Sequence, residues 1–548
     1  MKTAAHRLVE CLVHEGVEVI FGIPGEENLR LMDALLDSPI RFVTTRHEQG
    51  AAFMADVYGR LMGRAGVCLS TLGPGATNLV TGVADANMDR APVVAIAGQA
   101  ATTRMHKESH QVLDLVSLFK PITKYSTQIL EPGTVPEVVR KAFKQAQQEK
   151  PGACFIDFPE NIAEEQTDCP PLPVRRELLP EAPDAHLQQA ARLIAAAEKP
   201  LILAGNGVIR TGAHQALLDL SRTLNIPVVN TFMAKGVVPF FGNPLALGTA
   251  GLQAGDYENC GFSQADLVIT VGFDMVEYHP HLWNPGHRLK LIHIDTTSAE
   301  VDQSYLPEVE LTGHIARNLV RLAQLGIPPR QSNLHSHLRE ALIEEAQRLR
   351  HSDAWPLKPQ KIIWDLRTAF PKEGIAVVDV GAHKMWMARM FRAEQPNTCI
   401  ISNGFASMGI ALPGAIAAAL VHPDRPVVAV TGDAGFMMNV QELETAVRLN
   451  LNLVVLIWND HGYGLIEWKQ RRQFGRSAYT AFDNPDFVKL AESFGARGWR
   501  IDAAGQLAPV LEAALNTPGV HVIDCPVDYS ENDHLVKLLG PVLTEAEE

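Results

Sequence analysis

The chain reads as an α/β protein built from three doubly wound parallel-sheet domains. Three observations predict this. Short β-rich runs alternate with helical stretches instead of tight hairpin turns, and the alternation restarts twice. The length, 548 residues, also exceeds what one hydrophobic core fills, which is about 250 to 300 residues.

In the first block, Val19 to Phe21, Arg41 to Thr44, Gly66 to Thr71 and Val93 to Ala97 are the expected strands. Cys169-Pro-Pro-Leu-Pro, followed by Pro180 and Pro183, reads as a linker. In the middle block the strands are Pro200 to Ala204, Val228 to Val229, Leu267 to Val271 and Leu289 to Asp295. Gly205-Asn-Gly207 follows the first of these but lacks a spaced glycine triplet, so turn glycines are the favoured reading over a dinucleotide loop. A second linker falls between Leu325 and Pro359, with a helical stretch, Leu334 to Arg350, inside it. In the third block Ile375 to Val380, Pro426 to Thr431, Leu453 to Trp458 and Val520 to Cys525 are strands. The expected domains are 1–168, 186–326 and 356–535, with a tail over 536–548.

With 48 basic and 62 acidic side chains, the composition offers no electrostatic footprint for nucleic acid or an anionic membrane. The seven cysteines are scattered without CxxC spacing, as expected of reduced thiols in the cytoplasm. The N-terminus lacks the apolar core of a signal peptide, which also points inside the cell. Gly409 to Val421 is too short to span a bilayer and contains Pro413, so it reads as a buried helix.

The chemistry concentrates in the third block. Gly432-Asp433-Ala434-Gly435 closes one apolar strand, and Asn459-Asp460 closes the next. Neighbouring parallel strands about 5 Å apart would bring both carboxylates to one hard divalent cation. Asn439-Val-Gln-Glu442 reads as a capping box, putting a helix N-terminus just past the first carboxylate, where a diphosphate would be favoured. The plainer alternative is two turn residues at strand ends.

This block resembles the signature of the thiamin diphosphate (ThDP) enzymes, with Ala434 and Asp460 standing where the signature has Gly and Asn. The resemblance implies Mg²⁺ ligation by Asp433, Asp460 and the Gly462 carbonyl. It also implies phosphate contacts at Ala382 and His383, and a V-shaped coenzyme with Met408 as the wedge and the Ala406 carbonyl at the 4′-amine. In the first block Glu48 matches the glutamate that activates the aminopyrimidine, and Gly22-Ile-Pro-Gly25, Gly73-Pro74-Gly-Ala-Thr-Asn78 and Gly98-Gln99 match the loops around it. The first and third domains are then the pyrimidine-binding and diphosphate-binding domains. The need for Glu48 is physical: a carboxyl on pyrimidine N1′ favours the tautomer whose 4′ nitrogen accepts the thiazolium C2 proton at short range.

Across nearly the whole chain the sequence is most similar to catabolic, FAD-independent acetolactate synthases. His110-Gln-Val-Leu-Asp114, Lys120-Pro-Ile-Thr-Lys-Tyr125, Gly272-Phe-Asp-Met-Val-Glu-Tyr278 and Cys525-Pro-Val-Asp-Tyr-Ser530 carry that likeness. It implies condensation of two pyruvates to 2-acetolactate with loss of CO₂. Gln111 and the Gly25 backbone donor would then contact the 2-keto acids, with Lys124 and Trp468 as weaker candidates. FAD is not expected, because the arginine of the flavin-binding relatives is missing from Gly272-Phe-Asp274. A homodimer or homotetramer with sites between subunits is implied. Other ThDP decarboxylases or lyases, and a non-catalytic ThDP-binding protein, remain alternatives. Glu26 and Glu27 depart from the pattern, and two acids beside an anion pocket are unfavourable unless they point away or pair.

Overall fold

The computed structural model describes residues 2–175, 178–251, 260–331 and 334–536. The tail expected from 536 onward lies, beyond Val536, outside the described residues. Each of the three blocks forms a six-stranded parallel sheet flanked by helices. The first sheet runs, edge to edge, Arg41–Thr44, Val19–Gly22, Gly66–Ser70, Val93–Gln99, Ala153–Pro159 and Tyr125–Gln128. The third runs Cys399–Ile401, Ile375–Val378, Val427–Gly432, Leu453–Asn459, Val520–Pro526 and Arg497–Arg500. Numbered along the chain within each domain, both follow the order 2-1-3-4-6-5, so the two outer domains share one topology. The middle sheet differs. Its order, Ala246–Thr249, Val228–Asn230, Pro200–Ala204, Leu267–Val271, Lys290–Asp295 and Val309–Thr312, is 3-2-1-4-5-6, the dinucleotide-fold arrangement.

The inner strands are mostly apolar because both faces of each sheet are covered by helices. The outer domains share one core: the helices Glu48–Met62 and Pro74–Met88 of the first pack with Ala411–Val421 of the third. Small residues make this possible. A Cβ on Gly82 would lie 2.5 Å from Ala52 Cβ, and one on Gly414 would lie 2.8 Å from Val57 Cγ2. The expected buried helix is Ala411–Val421. The middle domain has its own clusters, and the helix Leu334–Gln347 lies in the second linker region as the sequence suggests. Among the described residues no helix is long and apolar enough to cross a membrane.

Candidate active site

The strands Val427–Gly432 and Leu453–Asn459 are parallel neighbours, with Gly432 opposite Trp458. Both therefore end at the same edge, and Asp433 and Asp460 line one pocket. Asp433 is buried and accepts from Ala434 N (2.8 Å) and Asn484 Nδ2 (2.7 Å). Burial, and then the nearby Asp433, pushes the Asp460 carboxyl up to about 8; burial raises Asp433 as well. A bound cation would relieve two carboxylates that oppose each other's ionisation. Among the described residues no three His, Cys, Asp or Glu side chains cluster as a metal site. A cation here would draw on two carboxylates, a main-chain carbonyl and oxygens of its ligand, a hard-ion donor set.

Gly381, Ala382, His383, Met408, Gly432, Ala434, Gly435, Gly462 and Tyr529 line the same pocket. His383 is buried; desolvation, the largest cause, drives its pKa down to about 3, so the ring is neutral. Its Nε2 has no hydrogen-bond partner among the described residues. Glycine is needed around it, since a Cβ on Gly381 would lie 2.7 Å, and one on Gly432 3.2 Å, from His383 Cε1. An unsatisfied buried ring nitrogen and side-chain-free walls beside two carboxylates fit a diphosphate with its cation.

The expected capping box does not form. The helix at the first carboxylate is Asp433–Met438, with Gly432 as its N-cap, and Gln441 precedes Glu442–Arg448 without a side-chain cap. Tertiary partners win instead. Asn439 donates to the Gly409 carbonyl (2.9 Å) and to Gln49 Oε1 (3.1 Å). Glu442 Oε1 accepts from the N–H groups of Arg46 (3.1 Å) and His47 (3.0 Å), tying down the entry to the Glu48 helix.

Glu48 opens the helix Glu48–Met62, and Asn78 Nδ2 donates to its Oε2 at 2.9 Å. A Cβ on Gly75 would lie 3.3 Å from Glu48 Oε1, and Pro74 begins the helix that carries Asn78. Gln111 is exposed at φ 57°, with its backbone packed so near Gly73 that a Cβ there would meet Gln111 O at 2.7 Å. Within one chain, none of these first-domain groups lines the pocket of Asp433 and Asp460.

Two candidate groups already have partners, and the condition set on the two acids is met. The Gly25 N–H is not a spare donor, because Asn28 Oδ1 accepts it at 2.9 Å; glycine is required there since a Cβ would lie 2.4 Å from Thr71 Cβ. The Lys124 ammonium donates to the carbonyls of Gln148 (2.8 Å) and Lys150 (2.7 Å), a structural tie. The acids after Gly25 do not crowd an anion: Glu26 is exposed, and Glu27 accepts from Thr71 Oγ1 at 2.8 Å. Trp468 donates to Asp533 Oδ1 at 2.9 Å, on the helix whose first turn lines the pocket.

Sequence reasoning missed Asn484, which bridges Asp433 and Asn459 Oδ1 (3.0 Å); its only local cue is the turn-prone Asn484-Pro485 pair. A larger cavity of about 350 Å³ opens where the three domains meet; of its guanidiniums, Arg60 is paired with Asp56 and Asp89 and Arg210 with Glu149 and Asp274, while Arg90 approaches Asp274 only to 3.7 Å. In the middle domain Gly205 and Gly207 serve close packing, for Cβ atoms there would lie 2.4 and 2.6 Å from Gly272 backbone atoms. The Asn206 N–H, at the crevice where a nucleotide phosphate would sit, goes to the buried Glu277 carboxylate at 3.1 Å.

Two like outer domains, one bearing a pocket lined by two carboxylates and the other a buried glutamate, are the pattern of a coenzyme-dependent enzyme class. Models of the thiamine pyrophosphate enzymes, the older name of ThDP, match all three domains. The N-terminal TPP binding domain matches residues 2–118, the central domain 187–322 and the C-terminal TPP binding domain 379–525. The chain is 38% identical over 536 residues to an acetolactate synthase of Bacillus subtilis, covering 97% of this chain and 94% of the relative. It is 37% identical over 544 residues to a catabolic acetolactate synthase of Raoultella terrigena, covering 97% and 96%. With the isozyme 2 large subunit of Escherichia coli acetolactate synthase the identity is 33% over 538 residues, 96% of each chain. The chain belongs to the acetolactate synthase family of thiamine pyrophosphate enzymes.

Proposed function

We propose that this protein condenses two pyruvates to 2-acetolactate with release of CO₂, using ThDP held through Mg²⁺. The observation that carries the proposal is the pairing of Asp433 and Asp460 at adjacent strand ends, beside the unsatisfied Nε2 of His383. ThDP, when bound, supplies the carbanion and the electron sink that decarboxylation requires. Asp433, Asp460 and the Gly462 carbonyl hold the cation, and His383, Ala382 and the glycine-lined wall receive the phosphates. Glu48, oriented by Asn78, holds a proton at the aminopyrimidine ring. Met408, which lines the pocket, would pack beneath the coenzyme, and the Ala406 carbonyl would accept from its amine. Gln111 meets the carboxylate of the 2-keto acid, and Gly25 contributes a wall without a side chain. FAD takes no part, a reading supported by Glu277 on the Asn206 N–H and by the lack, in Gly272-Phe-Asp274, of the arginine that flavin-binding relatives carry.

We further infer a homodimer or homotetramer, because Glu48 does not line the Asp433 pocket within one chain, and a cytoplasmic location, which the seven free cysteines support. The test is mass identification of the product after pyruvate, ThDP and Mg²⁺ are added. 2-Acetolactate is expected; acetaldehyde would make the protein a simple decarboxylase, and no CO₂ would require another donor.

A further inference from the structure

The segment Asn403–Gly409 crosses the pocket edge without secondary structure of its own, and Ala406 takes the left-handed φ of 57° that a side chain disfavours. Something outside the segment must therefore hold it. Its C-terminal end is fixed within its own domain, where buried Asp379 accepts from Gly409 N (2.9 Å) and Ala411 N (3.0 Å).

The other end is held by the first domain. Asp89 accepts from Asn403 N (3.0 Å) and Gly404 N (2.5 Å), and Asp85 accepts from Ser402 Oγ (2.7 Å) and Ser407 N (3.2 Å). Both carboxylates are fully buried. Arg60 binds Asp89 at 2.8 Å, Asp56 at 2.6 Å and the Ile401 carbonyl at 3.1 Å. The fit admits no side chain at Gly404, whose Cβ would lie 2.7 Å from Asp89 Oδ1.

We propose that Asp85 and Asp89 are positioning residues for the reaction, holding Asn403–Met408 from the first domain so that the Ala406 carbonyl and the Met408 side chain meet the coenzyme in register. This rests on the reading of Ala406 and Met408 given above. Neither carboxylate touches the coenzyme; Asp89 acts through the backbone N–H groups of Asn403 and Gly404, and Asp85 through the Ser402 hydroxyl and the Ser407 N–H. An amide in place of Asp89 would present an N–H₂ group to one of two N–H donors, so the segment would shift.

The test compares Asp85→Asn, Asp89→Asn, Ser402→Ala and Met408→Ala in the full-length protein with ThDP and Mg²⁺. It measures kcat per bound coenzyme, KM for pyruvate, and deuterium exchange at the thiazolium C2 of bound ThDP. Asp89→Asn is expected to lower kcat about tenfold to a hundredfold, slowing exchange in step and moving KM less than about twofold. A role confined to folding would reduce the folded yield and leave both rates per bound coenzyme unchanged, and that result overturns the proposal. Should Asp89→Asn not fold, Ser402→Ala, which deletes one bond onto Asp85, decides: slowed exchange supports the proposal and wild-type exchange overturns it. Wild-type rates in Met408→Ala would instead remove the underlying reading of Met408, and the proposal with it.

Discussion

Glu48 illustrates how little a residue's type says until its surroundings are known. An acid in the first turn of a helix ordinarily gains a few tenths of a kcal/mol from the dipole. Here the side chain is 8% exposed, and one oxygen accepts from Asn78 while the other faces the Cβ-free wall at Gly75. Glu48→Gln keeps the shape and removes the proton-holding group. Turnover is expected to fall by about 10²- to 10⁴-fold with coenzyme affinity nearly unchanged, as read by separate titration and rate measurements. Near-normal turnover would remove Glu48 from the mechanism. Asp157 shows the opposite case, a buried acid with no place in the site. Its carboxyl accepts from Gln128 Nε2 (2.6 Å) and Gln99 Nε2 (3.2 Å), and burial pushes its pKa up to about 7. Between pH 4 and 7 the unfolded chain would lose this proton while the folded one keeps it, so stability should fall as pH rises across that window. Asp157→Asn carries no such proton. Denaturant unfolding at pH 4.5 and pH 7.5 should show the wild type losing about 2 to 4 kcal/mol more than the variant. Equal losses would mean that Asp157 is ionised in the folded protein.

At the scale of elements, the legible parts were those whose signal is local. The expected strands agree with the structure to within one or two residues at each end, because each is an apolar run bounded by turn residues. Of the six strands of the three large sheets that escaped notice, five lie at sheet edges: Tyr125–Gln128, Ala246–Thr249, Val309–Thr312, Cys399–Ile401 and Arg497–Arg500. Edge strands are short, and Tyr-Ser-Thr-Gln and Arg-Gly-Trp-Arg, which stay partly exposed, carry no apolar run to read. The capping box failed for a related reason. Asn439 and Glu442 have the right spacing for one, but Glu442 finds the Arg46 and His47 N–H groups, some four hundred residues away in the chain. Local pattern proposes a partner, and tertiary packing offers a better one. The hold of Asp85 and Asp89 on the Asn403–Ser407 segment was invisible for the same reason: it exists only once two domains have met.

For the whole molecule, the two outer sheets share the order 2-1-3-4-6-5 and a common core, so each chain offers two related halves facing one another. Within that pair the contacts hold each half in place without completing a site: Glu442 steadies the entry to the Glu48 helix, and Asp85 and Asp89 steady the segment before Met408. Glu48 and the Asp433 pocket would then meet only across two chains, each chain lending its glutamate to the other's pocket. A mixing experiment follows from that arrangement. Glu48→Gln and Asp433→Ala should each be inactive alone. In a mixed dimer one site would carry both substitutions, and the other would combine an intact Glu48 with an intact Asp433. After co-refolding or subunit exchange at equal amounts, about half of the dimers would be mixed and half of their sites intact, restoring about a quarter of wild-type turnover. Sites confined to one chain would give none, and an active monomer in sedimentation would exclude the shared arrangement altogether.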